Sequence, residues 1–252
     1  MEPLLEVKNL TVNFKGRGGR MFSAVSGVGF TLGRGEALGI VGESGSGKST
    51  IAKAVLRLIE PSNGSIALEG RDITKLKGAE LRKVYKKIQM VFQSPAASFD
   101  PRRTLGDGVG ESLRCEGLTR AAAALRVASL LERCGLPPSF AGRYPHEVSG
   151  GQCQRAAIAR ALAPSPEILI CDEATSALDV TVQRQIMELM CSLRDRNGLS
   201  FLFISHSIAL VQSFCSRVIV MQEGAIAEEG PTDKVIAAPQ SEAARCLVEA
   251  AL

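Results

Sequence analysis

Gly42-Glu43-Ser44-Gly45-Ser46-Gly47-Lys48-Ser49-Thr50 decides how this chain is read. The first eight of these nine residues fit GxxxxGK[ST], and the stretch stands where that pattern carries chemistry, between a strand-like run at Glu36 to Val41 and a helical pattern that starts at Lys48. The helix is expected to continue through Ala52, Val55, Leu56 and Ile59 until Pro61 and Asn63-Gly64 break it. Glycines at these positions let backbone N–H groups converge on phosphate oxygens with no Cβ in the way, and the helix turns its positive N-terminal end toward the same anion. Lys48 is placed to hold the β- and γ-phosphates of a nucleoside triphosphate. Ser49 adds a hydroxyl for Mg²⁺, a hard ion that prefers oxygen.

A second stretch supplies what hydrolysis needs. Ile168-Leu169-Ile170-Cys171-Asp172-Glu173 is a short apolar run that ends in two carboxylates, so both fall at the carboxyl end of a buried strand, where α/β proteins bind ligands. Asp172 is suited to orient Mg²⁺, directly or through water. Glu173 is suited to position or deprotonate the water that attacks the γ-phosphate. Alone, such a pair reads as a helix cap or a solvated turn; the glycine-rich loop upstream reverses that.

Val148-Ser149-Gly150-Gly151-Gln152-Cys153-Gln154-Arg155 forms a third element, a loop that opens a helix over Ala156 to Leu162 and makes a second helix start able to take an anion. Ser-Gly-Gly-Gln ahead of a strand ending in Asp-Glu resembles the signature of the ABC ATPase family, and the resemblance extends over nearly the whole chain. Gln93, in Val91-Phe92-Gln93-Ser94-Pro95, resembles the family's Q-loop glutamine; Ser176-Ala177-Leu178-Asp179 resembles its D-loop; His206, in Ile204-Ser205-His206, matches its switch histidine. Phe14 is the candidate for the aromatic that stacks on adenine, with Phe22 as a rival because the basic glycine-rich loop Lys15 to Arg20 blurs the alignment.

The resemblance implies an α/β fold: a P-loop NTPase core with a mostly parallel sheet, an antiparallel β subdomain and an inserted α-helical subdomain. It implies one domain over 1–252, with the catalytic core at about 1–93 and 164–252 and the helical insertion at about 94–163. Glu173, His206, Lys48 and Gln93 become the catalytic set. ATP binding falls to Phe14, the loop Gly42, Glu43, Ser44, Gly45, Ser46, Gly47, Lys48, Ser49 and Thr50, and the signature residues Ser149, Gly150, Gly151 and Gln152. Mg²⁺ falls to Ser49, Gln93 and Asp172. Family members pack two cassettes head to tail, so the signature of one clamps the ATP held by the other. A second ATPase subunit, two transmembrane permease subunits and, indirectly, an extracytoplasmic binding protein are the implied partners, with no nucleic acid. The implied location is the cytoplasmic face of the cell membrane.

Val148 stands where the signature more often has Leu, and Ser207 follows the switch histidine where Asp is frequent; Ser also caps a helix well, so neither change removes a catalytic group. Gln93 to Arg102 resembles the post-Q-loop stretch of the importers of dipeptides, oligopeptides and nickel. The chain ends soon after Pro231 and a final Ala/Leu-rich helix, which suits the shorter ATPase of a heterodimeric pair, with nickel or a metal chelate as the favoured cargo and peptide as the other. A DNA-repair or translation-associated ABC ATPase is the alternative. A P-loop kinase would leave Ser149 to Gln152 without a role.

Bulk composition agrees with an enzyme-like globule. Hydrophobic residues make up 45% of 252, aromatics 4%, and 30 basic against 26 acidic residues leave a net charge of +4, too small and too dispersed to argue for nucleic acid. The basic run Arg82 to Lys87 reads as a solvated helix face. Seven widely spaced cysteines without a CxxC pair suit a reducing compartment, and Cys171 reads as a small buried hydrophobe. No apolar run nears the ~20 residues that span a bilayer, and Met1 to Leu10 lacks the pattern of a secretory signal. Helical periodicity from Thr104 to about Cys134, a helix over Val180 to Arg196, and apolar runs at Phe201 to Ile204 and Val218 to Met221 complete an alternation of strands and helices that favours parallel pairing.

Overall fold

The computed structural model describes residues 2–16, 19, 21–176 and 178–250. Arg17, Gly18 and Arg20 of the basic glycine-rich loop and Ala177 of the D-loop stretch lie outside the described residues. In chain order the elements are β1 (Leu5–Lys15), β2 (Met21–Leu32), β3 (Ala37–Gly42), α1 (Lys48–Val55), β4 (Asn63–Leu68), β5 (Arg71–Asp72), α2 (Gly78–Lys87), β6 (Ile88–Val91), α3 (Leu105–Val109), α4 (Glu111–Cys115), α5 (Arg120–Arg133), α6 (Gly150–Leu162), β7 (Ile168–Asp172), α7 (Val180–Asn197), β8 (Ser200–Ile204), α8 (Ile208–Phe214), β9 (Arg217–Gln222), β10 (Ala225–Pro231), α9 (Thr232–Ala237) and α10 (Glu242–Glu249). They divide into two compact units, residues 1–85 with 198–252, and residues 86–197.

The first unit carries an antiparallel sheet in the order β2-β1-β4-β5, and beside it β3 pairs in parallel with β8 and with β9, while β10 returns antiparallel on β9. Every residue of β3 and β8 is buried, which fits their unbroken apolar sequence. Phe201 and Phe203 of β8 meet Phe214 of α8 edge-on, with ring centroids 5.0 and 5.4 Å apart. Burial on this scale stabilises by roughly 1.5–3 kcal/mol for each large side chain. Ser207 caps α8, its hydroxyl accepting from the Leu210 N–H at 3.4 Å, as the substitution for Asp allows.

The second unit pairs β6 with β7 in parallel and surrounds the signature helix α6 with α3, α5 and α7. It holds β6, β7 and α7 together with the helical stretch. Thr104 and Thr119 cap α3 and α5, each accepting from the N–H three residues on. Just before the signature the Glu147 carboxylate accepts from the Tyr144 N–H at 2.8 Å, while the Tyr144 carbonyl accepts from the Glu147 N–H at 3.0 Å.

Several boundaries differ from the sequence reading. α1 stops at Val55, not near Pro61, because Arg57 takes a left-handed backbone with φ 57° and turns the chain out of the helix. The stretch from Thr104 to Cys134 is three helices rather than one periodic run, interrupted at Gly110 and at the Gly117-Leu118-Thr119 turn. The chain closes on two helices, α9 and α10, preceded by β10, whose half-exposed pattern carries no apolar alternation. The basic run behaves as expected: Arg82, Lys83 and Lys86 are exposed on α2.

One carboxylate ties the C-terminal helix down. Glu228 on β10 accepts from the Gln240 N–H at 3.0 Å, the Ser241 N–H at 2.8 Å and the Ser241 hydroxyl at 2.9 Å, while Ser241 caps α10. Partial burial alone would raise its pKa, but those bonds and the nearby Arg245 outweigh it and hold the carboxyl below its ordinary value of 4.5. A depressed folded pKa contributes stability above pH ~4.5, which is lost as pH falls through the folded value. Glu228→Gln should therefore melt at a lower temperature than wild type at neutral pH, with the gap closing on acidification below about pH 4.5. A gap in melting temperature that stays constant from pH 7 to pH 3 would refute this role.

Candidate active site

In the first unit the phosphate loop joins β3 to α1. Gly42, Gly45 and Gly47 take φ of 152°, 82° and 100°, conformations that L side chains adopt rarely. At Gly47 space is as decisive as φ: a Cβ would lie 2.4 Å from the Ala24 carbonyl oxygen on β2. The loop is thus shaped by backbone that strains any residue with a Cβ, and at Gly47 also excludes it for want of space.

Lys48 is 5% exposed, and its ammonium donates to the carbonyls of Gly42 and Glu43, both at 2.7 Å, and to the Ser46 hydroxyl at 3.4 Å. The cation is held at the mouth of the loop by acceptors that an anion's oxygens can replace. Glu43, Ser44 and Gly45 are exposed at the loop's tip, Ser46 is buried, and Ser49 and Thr50 open α1 half-buried. A cradle that a Cβ would fill, closed by a cation, fits the phosphates of a nucleotide.

Parallel pairing sets His206 at the same end. Ile40 of β3 pairs with Ile204 of β8, so Gly42 and His206 each follow two residues later, at the strands' carboxyl ends, and His206 is exposed. The rival aromatics prove to be partners. Phe14 and Phe22 face each other across the β1–β2 ladder, with ring centroids 5.7 Å apart and planes 30° apart; Phe14 is half-buried and Phe22 is 55% exposed. Sequence alignment treats them as alternatives, whereas the hairpin register makes them one aromatic surface.

A cavity of about 350 Å³ also opens beside the loop, lined by Glu43, Ser46, Met221, Glu223, Glu242 and Cys246 among others. Nothing in the sequence points to it, because its outer wall is the amphipathic helix α10.

The second unit brings together two of the residues expected from the sequence to serve hydrolysis, Gln93 and Glu173, in the same way. Val91 of β6 pairs with Cys171 of β7, and two residues beyond each partner the Gln93 amide donates to the Glu173 carboxylate at 2.7 Å. Glu173 has φ 48°, and its carbonyl accepts from the Ser176 N–H and hydroxyl at 3.1 and 3.0 Å. That turn aims the carboxylate out of the strand. Asp172, one residue earlier, is 7% exposed.

Burial pushes the Cys171 thiol up to about 12, with the Asp172 charge adding to the effect, so the cysteine acts as packing, in line with its apolar sequence neighbours. The oxygen donors Asp172 and Ser49 suit Mg²⁺ in kind. Among the described residues no group of three or more His, Cys, Asp or Glu is arranged to hold a metal by itself.

Ser149 caps α6 in a reciprocal box. Its hydroxyl accepts from the Gln152 N–H at 3.3 Å, and the Gln152 carboxamide accepts from the Ser149 N–H at 3.0 Å. Ser149 and Gly150 are exposed, whereas Gly151 is buried where a Cβ would come within 2.4 Å of Val182 on α7.

Arg160, nearly three turns into the same helix and inconspicuous in the sequence, donates to the carbonyl and hydroxyl of Ser98 and lies over the Phe99 ring at 4.4 Å. It pins the segment that follows Gln93 onto the signature helix.

A family model described as "ABC transporter" matches residues 25–176, more than half of the chain. The chain belongs to the ABC transporter family. The glutathione import ATP-binding proteins GsiA of Escherichia coli (strain K12) and of Salmonella typhimurium are each 48% identical to it over 256 residues, which is 99% of this chain and 41% of theirs. The chain thus spans about two fifths of the length of these curated relatives.

Among solved structures, the dimeric post-hydrolysis state of the ATP-binding cassette MJ0796 bound to ADP and Pi superposes with a TM-score of 0.83 at 31% identity, covering 90% of this chain and 98% of that one. CbiO1 from Clostridium perfringens, part of the ABC transporter complex cbiONQ, gives 0.83 at 28% identity over 94% and 92%. The ABC ATPase fold expected from the motifs is therefore the fold of this cassette. No helix among the described residues is long and apolar enough to cross a membrane.

Proposed function

We propose that this cassette binds ATP with Mg²⁺ and hydrolyses it to power an ABC importer. The observation that carries the reading is the phosphate loop, whose left-handed glycines and buried Lys48 form a cradle suited to receive phosphates. Lys48 takes the β- and γ-phosphates, exchanging the carbonyls of Gly42 and Glu43 for phosphate oxygens. Ser49, Asp172 and Gln93 are the residues that would hold Mg²⁺, which when bound would neutralise charge on the phosphates. Glu173 receives the proton of the attacking water, and its bond to Gln93 links that step to the Q-loop segment that Arg160 anchors. His206 faces the γ-phosphate.

The Phe14–Phe22 pair offers the adenine a stacking surface. Phe14→Ala and Phe22→Ala should each weaken ATP binding by about threefold to tenfold, the worth of one aromatic stack. Unchanged affinity in both variants would remove the pair from the site.

A second cassette completes each site: Ser149, Gly150, Gly151 and Gln152 of one chain cover the nucleotide of the other. The exposure of Ser149 and Gly150 supports this, as does the likeness to a cassette solved as a dimer. Two permease subunits and an extracytoplasmic binding protein follow from an importer role, with the cassette peripheral on the cytoplasmic face.

For the cargo, the relatives named for glutathione import favour a small peptide over nickel, since glutathione is itself a tripeptide. Affinity purification from native membranes is expected to recover two permeases and a cassette. Recovery of DNA or ribosomes instead would replace the transport reading with a repair or translation role.

A further inference from the structure

Behind the phosphate-loop helix the first unit carries a basic hollow to which none of the assigned roles extends. It measures about 550 Å³ and is lined chiefly by Arg57, Glu60, Ser62, Thr74, Lys75 and Lys77, three cations against one carboxylate. Arg57 is the unusual member. It is 8% exposed, its Nε donates to the Ile73 carbonyl at 3.2 Å, and its Nη1 is buried with no hydrogen-bond partner among the described residues. A buried donor left unpaired destabilises by about 1–3 kcal/mol, and this one belongs to a permanent charge. The residue also sits at φ 57°, so backbone and side chain are both held in unfavourable states at one position.

The Asp72 carboxyl, held below its ordinary value chiefly by hydrogen bonds from Thr74, also feels the Arg57 charge, but among the described residues no carboxylate supplies the acceptor that Nη1 lacks. Glu60 lies 3.8 Å from Lys77, with both side chains more than 70% exposed, a pairing that contributes little. Asp72 is exposed and accepts from the Thr74 N–H at 2.7 Å. Neither forms an ion pair with Arg57 among the described residues.

We propose that this hollow binds a small, multiply charged oxyanion of the phosphate class, with Arg57 as the fixed donor and Lys75 and Lys77 as mobile cations that close over it. A guanidinium can fork onto two oxygens of a tetrahedral anion, which would give Arg57 Nη1 the acceptor that the protein withholds. The site is concave, which favours a small solute over a flat charged surface. Arg57 directly follows Leu56, the C-cap of α1, and Lys48 begins that eight-residue helix. Occupancy of the hollow therefore acts on the far end of the helix that presents the phosphate loop.

The test is calorimetric titration of inorganic phosphate into the full chain, with the phosphate loop saturated by Mg²⁺ and a non-hydrolysable ATP analogue whose own binding is measured first. One phosphate per chain is expected. Lys75→Gln and Lys77→Gln should each weaken it by about threefold to fivefold, the size of an exposed ion pair, and their combination by about tenfold to twenty-five-fold. Arg57→Gln should abolish it; if that variant fails to fold, the double lysine variant, whose altered residues are exposed, decides. Absence of phosphate binding, or equal affinity in wild type and the double lysine variant, would overturn the proposal. Loss of phosphate binding in Lys48→Ala with no effect of the lysine variants would do the same. Failure of the analogue to bind is read separately and bears on the phosphate loop alone.

Discussion

Glu173→Gln is expected to lower steady-state ATP turnover by on the order of a hundredfold, and at least by about tenfold, while nucleotide binding stays near wild type. The substitution is nearly isosteric, so the amide of Gln93, which donates to Glu173 at 2.7 Å, still finds an acceptor at position 173. Only basicity is removed. If Glu173 takes the proton of the attacking water, the loss appears in turnover and not in affinity. Phosphate release and equilibrium nucleotide titration on the same preparation separate the two. Turnover within twofold of wild type would show that proton removal occurs elsewhere and would leave Glu173 as a structural turn residue.

Gly47→Ala should act on the other half of the reaction. A left-handed backbone costs a residue with a Cβ roughly 1–2 kcal/mol, and here the new methyl would also stand 2.4 Å from the Ala24 carbonyl oxygen, a backbone atom on β2 with little room to retreat. The loop must shift, and the convergence of its amides on one point is lost. Nucleotide affinity is expected to fall by at least about tenfold, the equivalent of 1.4 kcal/mol. Gly45→Ala is the control: φ is 82° there, but an added Cβ meets nothing within 4 Å, so only the conformational strain remains. Equal losses in both variants would show that strain alone, and not the contact with β2, shapes the loop.

Residues of this kind are legible in a linear sequence because their chemistry is contiguous. A phosphate loop, a strand ending in Asp172-Glu173 and the run Ser149 to Gln152 each declare a function within fewer than ten positions, and the buried strands β3, β7 and β8 announce themselves as unbroken apolar runs. Features that depend on residues far apart in sequence stay hidden. Arg160 is one arginine among many until Ser98 and Phe99 are found beneath it.

Phe14 and Phe22 compete as alternatives until the β1–β2 register sets them face to face. β10 lacks alternation because both its faces are partly wet, and its partner β9 supplies the order that its own sequence does not. The early end of α1 has the same cause. Periodicity favours continuation past Leu56, yet packing holds Arg57 in a conformation that no propensity scale would assign to arginine.

The left-handed backbone at Glu173 has a consequence of another kind. A glycine or an asparagine accepts φ 48° more readily than glutamate does, so either substitution would relax the chain at this point while deleting the carboxylate. Selection for thermal robustness alone would drift away from glutamate here. Glutamate at this position accords with the proposed role in turnover, held at some cost in melting temperature.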